Sequence, residues 1–196
     1  MRDELDNAIH LTARADWRAW LEQHHTRTKG VWLISFKKGT GKPRVAYEEA
    51  VEEALCFGWI DSIQRTLDDE RAMLWFAPRK PRTGWSKLNK QRIERLAAAG
   101  LMAPAGLAKI EAAQQDGSWH ALDAVEALDI PPDLAAALSS YPSAQTHFDA
   151  FPRSVKRSIL EWIASAKTSA TRAKRVEETA RLAEENIRAN QWRRSA

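Results

Sequence analysis

The densest chemistry in the sequence runs from Trp75 through Arg95. Between Arg79 and Arg95, seven basic residues (Arg79, Lys80, Arg82, Lys87, Lys90, Arg92, Arg95) stand against one acid, Glu94, a local charge of +6. The whole chain carries +4, so everything outside this stretch sums to −2. Guanidinium and ammonium groups gathered in this way suit a phosphate, carboxylate or sulfate. Trp75, Phe76 and Trp85 interleave with the cations and offer faces that could stack on a planar ligand or on arginine itself. The candidate ligand-binding residues are therefore Arg79, Arg82, Trp85, Ser86, Lys87, Asn89 and Trp75. A second cationic group holds Lys167, Arg172, Lys174 and Arg175. From it Arg172 and Arg175 are candidates to approach the same anion. The competing reading is a solvated helix face, offset by Glu177 and Glu178.

Placement gives the first cluster its meaning. Ser86 to Ala99 reads as a helix with Leu88, Ile93 and Leu96 on its apolar side, capped by Thr83 or Ser86. A helix N-terminus is the positive end of the macrodipole, where cations are disfavoured. Arg79, Lys80, Arg82 and Lys87 crowd that end, an arrangement suited to docking an anion against free N–H groups and basic side chains together. Other chemistry is sparser. Cys56 is a candidate nucleophile, although a lone cysteine on an amphipathic helix usually packs in a core. Asp61 is a candidate catalytic carboxylate, with Glu49, Arg65 and Arg79 as possible partners. The five histidines fit no metal-ligand spacing, so neither metal nor cofactor is expected. Glycine-rich phosphate loops and nucleophile-elbow patterns do not occur.

Composition sets the class. The 196 residues, 44% hydrophobic and 29% charged, suffice to bury a core without disulfides or structural metal. The single cysteine rules out an internal disulfide and suits a reducing cytosol. The charged opening Met-Arg-Asp-Glu-Leu-Asp contains no secretion signal, and no run approaches a membrane span, so a cytoplasmic protein is expected.

The elements that must carry these residues follow from periodicity. Trp17, Trp20, Leu21 and His24 mark a helix; Val31 to Lys37 is apolar at nearly every position and reads as a strand covered on both faces. Tyr47, Val51, Ala54 and Leu55 mark a second helix stopped by Gly58. Trp59 to Leu67 and Arg71 to Ala77 form a hairpin ended by Pro78. Beyond Gly100 everything reads as helical. The expected fold is α+β: a small three-stranded antiparallel sheet with flanking helices over residues 1–130, then a helical subdomain over 131–196 beginning at Pro131.

Several of these pieces together resemble a known family. Gly30-Val-Trp-Leu33, Ala54-Leu-Cys-Phe-Gly-Trp-Ile-Asp61, Phe76-Ala-Pro-Arg79, Arg82 and Trp85-Ser-Lys-Leu-Asn89 are similar to the YdeI/OmpD-associated, or bacteriocin-protection, family. Pro142 through Trp162, Ala166-Lys167 and Thr171-Arg172-Ala-Lys-Arg175 resemble its helical OmdA-type domain. Ala77 replaces a frequent threonine and Ala170 a frequent acid. The resemblance implies a role in tolerance of antimicrobial peptides and in envelope stress, and it implies no particular reaction.

Three functions are weighed at this point, beside a fourth, a protein-interaction module using the C-terminal helices. The first is a stress- and resistance-associated protein, not primarily an enzyme, that binds an anionic small molecule at the basic-aromatic helix N-terminus. The second is a nucleic-acid-binding protein whose 75–95 stretch follows a phosphate backbone. The third is an enzyme acting on a phosphorylated or carboxylated small molecule through Cys56, Asp61 and the arginines.

Overall fold

The computed structural model describes residues 6–191; the charged opening, residues 1–5, and residues 192–196 lie outside it. The chain divides into two compact units, the first closing at Ala121 and the second opening at Leu122.

The first unit runs β1 (Ala8–His10), α1 (Arg14–His24), β2 (Val31–Phe36), α2 (Tyr47–Cys56), β3 (Trp59–Thr66), β4 (Arg71–Pro78), α3 (Lys87–Ala98) and α4 (Pro104–Gln115). The expected three-stranded antiparallel sheet has a fourth strand. Its order is β1-β2-β4-β3, and β1 pairs parallel to β2 with Ala8 opposite Trp32. The sheet is therefore mixed. Three residues are too few to show an apolar period, which is why β1 left no signal in the sequence.

Val31 to Ile34 of strand β2 are buried on both faces, as the apolar run implies. Val31 and Leu33 pack with Trp17, Leu21, Val51, Leu55, Trp59 and Phe76 in the main core. Trp32 and Ile34 pack with Met73 and Trp75 on the other face. Trp17 and Trp59 are fully buried with their N–H groups satisfied: Trp17 donates to the Ala50 carbonyl and Trp59 to that of His25, both at 3.0 Å. Helices α1 and α2 are also joined by charge, since Arg14 and Arg18 close on the buried carboxylate of Glu53 at 2.6 and 2.8 Å. Gly58 ends α2 with φ of +75°, a conformation that glycine adopts without strain.

The second unit is helical: α5 (Asp123–Ala127), α6 (Pro132–Ser139), α7 (Ala144–Ala150), α8 (Arg153–Ala164) and α9 (Ser169–Glu184). Leu134, Leu138, Phe148, Ile159, Ile163 and Ala180 form its core. The sequence suggests a boundary at Pro131, yet the acidic connector before it packs with this unit. Val125 is buried in the second core, and Arg157 pairs with Glu126 at 3.0 Å.

Candidate functional site

Arg79 follows directly on β4, and its side chain turns inward. The guanidinium lies over the Trp85 ring, 3.6 Å from the centroid, and Nη2 donates to the carbonyl oxygens of Thr83 and Gly84. Arg79 is 6% exposed and Trp85 2%. Trp85 is held in turn by Trp119, with ring centroids 5.2 Å apart. Among the described residues no carboxylate pairs with Arg79, and its buried Nε–H has no acceptor. Burial without a counter-charge lowers the arginine from 12.5 to about 10. Burying the cation costs stability, which the Trp85 ring and the two carbonyl oxygens offset in part.

The loop that follows makes a hollow beside it. Arg82 adopts φ of +58°, uncommon for a side chain with a β-carbon, and the Thr83 hydroxyl donates to the Lys80 carbonyl at 2.8 Å. The hollow has a volume of about 50 Å³ and is lined by Arg79, Lys80, Arg82 and Trp85 from the loop and by Lys109 and Asp116 from α4 and its end. Asp116 sits below the usual carboxylate range because Ser118 donates to it, with a further contribution from Arg82. Four cations and one acid thus surround a space of one or two waters, enough for the oxygens of an anionic head group.

The remaining residues of the stretch separate from this hollow. Ser86 caps α3, its hydroxyl accepting the Asn89 N–H at 3.3 Å. Lys87 is exposed, and the Asn89 side chain accepts from Arg92 at 2.7 Å. Ser86, Lys87 and Asn89 all lie outside the hollow's lining. Trp75 belongs to the opposite face of the sheet, edge-on to Trp32 at 5.2 Å. The expectation for α3 needs one correction. Leu88 is 52% exposed, while Arg92 is buried to 3% and pairs with Glu48 at 2.7 Å. At 100° per residue Leu88 lies roughly 110° from the midpoint of Ile93 and Leu96, off the buried stripe. The helix therefore buries a paired arginine where an apolar contact was expected.

Arg172 and Arg175 are occupied inside the second unit. Arg172 grips Asp133 with two bonds of 2.6 and 2.9 Å. Arg175 donates to the Trp162 carbonyl and to Ser165, and stacks on the Trp162 ring. Cys56 is fully buried, and burial pushes its thiol above the ordinary value, helped by Glu53 and opposed by Arg18. The nucleophilic thiolate is disfavoured there. Asp61 accepts from the Tyr47 hydroxyl at 2.9 Å; burial, followed by that bond, raises the phenol to about 12. Glu49 accepts the Ala46 N–H at the start of α2.

Sequence reasoning missed the far wall of the hollow, Lys109 and Asp116. The one signal available was Asp116-Gly-Ser118, in which the Asp116 carboxylate accepts the Ser118 N–H at 2.9 Å.

An α+β unit with a basic-aromatic hollow, followed by a helical unit, defines the class of protein. The chain belongs to the family described as Domain of unknown function (DUF8412), whose model matches residues 9–109. Residues 127–186 match the model described as Bacteriocin-protection, YdeI or OmpD-Associated. Neither a curated protein nor a solved structure matches the chain. Among the described residues no helix is long and apolar enough to cross a membrane.

Proposed function

We propose that the protein is a cytoplasmic, stress- and antimicrobial-resistance-associated binder of a small anion, whose head group enters the hollow beside Arg79. The observation that carries this reading is the arginine itself: buried, stacked on Trp85, without a carboxylate, and with one N–H unmet. Arg92, the other buried arginine of this unit, is paired with Glu48, and Arg14 and Arg18 close on Glu53. Arg79 is left with a cost that an incoming phosphate or carboxylate would offset. Arg82, Lys80 and Lys109 add charge at the same place. The bacteriocin-protection match over the second unit supports the biological setting.

Nucleic-acid binding draws less support, because the tryptophans it needs are occupied. The Trp85 face is covered by Arg79, and Trp75 is packed on Trp32. An enzyme built on Cys56 and Asp61 would need a thiol that ionises readily, and burial opposes that.

Thermal unfolding with inorganic phosphate tests the proposal. Phosphate at 100 times its dissociation constant stabilises the native state by about 2.7 kcal/mol. The wild type is expected to show a saturable rise in Tm; Arg79→Met should abolish it. Arg82→Ala and Lys109→Ala, at less buried positions, should weaken it roughly tenfold while leaving the ligand-free Tm nearly unchanged. Equal stabilisation of all four proteins would remove the hollow as the site. A bacteriocin challenge of a strain lacking the protein, complemented with wild type or Arg79→Met, tests the link to resistance.

A further inference from the structure

On the helix-covered face of the sheet a larger cleft, about 310 Å³, opens where the loop between β2 and α2 crosses the strands. It shares none of its lining with the hollow at Arg79. Its floor is apolar, built from Leu33, Ala72 and Leu74, with Val45 and Ala50 beside them. The loop is pinned by Ser35, whose hydroxyl both donates to the Val45 carbonyl and accepts the Val45 N–H, each at 3.1 Å.

Two features of this cleft are not explained by packing. The first is a bulge in β3. Asp61 stands opposite Phe76 but Gln64 stands opposite Leu74, so one extra residue is inserted between them. Opposed residues share a face of the sheet. Without the bulge Ile63 would face Leu74 and close the cleft with an apolar side chain. With it, Ile63 is turned out, 51% exposed, and Gln64, itself exposed, stands at the cleft instead. The register shift thus sets a polar side chain, not an apolar one, at the edge of an apolar cleft. The second feature is charge. Arg44, half-buried, and Lys38 both line the cleft, and among the described residues neither pairs with a carboxylate. Lys37 is already used, donating to the Asp68 carbonyl at 2.7 Å.

We infer that this cleft binds a small carboxylic acid with an apolar body: the body on Leu33, Val45 and Leu74, the carboxylate on Arg44 and Lys38, and a hydrogen-bonding substituent toward Gln64. The volume equals about ten waters, room enough for an amino acid or an aryl-alkanoic acid. The inference stands independently of the hollow at Arg79, because it uses different residues and a different part of the sheet.

Methyl and amide NMR of the full chain tests it, with 3-phenylpropionate, 3-phenylpropanol and inorganic phosphate as separate probes. Phenylpropionate is expected to shift the Leu33, Val45 and Leu74 methyls saturably. The uncharged alcohol should bind roughly tenfold more weakly, and phosphate should leave these methyls in place. Arg44→Gln should weaken phenylpropionate by a similar factor, and Ala72→Leu, which fills the floor, should block it with the remaining spectrum preserved. The inference is overturned if phenylpropionate at about 10 mM, well above a millimolar dissociation constant, shifts none of these methyls. It is equally overturned if the alcohol binds as tightly as the acid, or if both variants retain wild-type affinity.

Discussion

Two arginines thirteen positions apart carry opposite meanings. Arg92 and Arg79 are both nearly inaccessible, yet Arg92 meets the Glu48 carboxylate and Asn89, whereas Arg79 meets only carbonyl oxygens and a ring. The pair at Arg92 is asymmetric, because the Glu48 side chain is largely solvated. Removing the acid should therefore matter more than removing the base, since it strands a buried charge. Glu48→Ala is expected to lower stability by about 2–3 kcal/mol in urea unfolding, and Arg92→Met by less than half of that. Equal losses would show that Arg92 reaches solvent when unpaired. At this scale the sequence was partly legible. It showed that cations and tryptophans cluster around Arg79 and Trp85, and it proposed the Ser86 cap that α3 uses. It could not show which cation is buried. That choice is set by the rotation of α3 and by Glu48, forty-four residues away along the chain.

Elements place these residues by close backbone approach. Helix α4 meets the end of α2 at Gly106, where an added β-carbon would lie 2.2 Å from the Cys56 carbonyl oxygen. Backbone cannot yield as a flexible side chain can, so Gly106→Ala should cost about 2–3 kcal/mol in unfolding free energy. A neutral result would mean that α4 can slide away from α2. Because α4 carries Lys109, the same substitution should also loosen the hollow. Helices α1 and α2 and the hairpin were readable from apolar spacing and stop residues, and α3 from part of its spacing. Gly58 was recognisable as a stop, and its positive φ supplies the reason. The short β1 and the β3 bulge were not readable. One is below the length at which a period shows, and the other is a shift of register, which depends on the partner strand rather than on local composition.

For the whole molecule, the relevant fact is that each unit has a main core of its own among the described residues. The proposed anion site draws on residues of the first unit alone, while Arg172 and Arg175 are engaged inside the second. Phe148→Ala removes a fully buried ring from the second core and should destabilise that unit by about 3–5 kcal/mol. At a temperature where both units stay folded, phosphate affinity should match the wild type; a tenfold loss would place part of the site in the second unit. The central claim, that an anion pairs with a buried arginine left without a counter-charge, is tested most directly by arginine Nε–Hε NMR during phosphate titration. The resonance that disappears in Arg79→Lys is expected to move downfield and saturate with the same affinity as the rise in Tm. If phosphate saturates the protein while that resonance stays fixed, the anion binds elsewhere and the account of Arg79 is wrong.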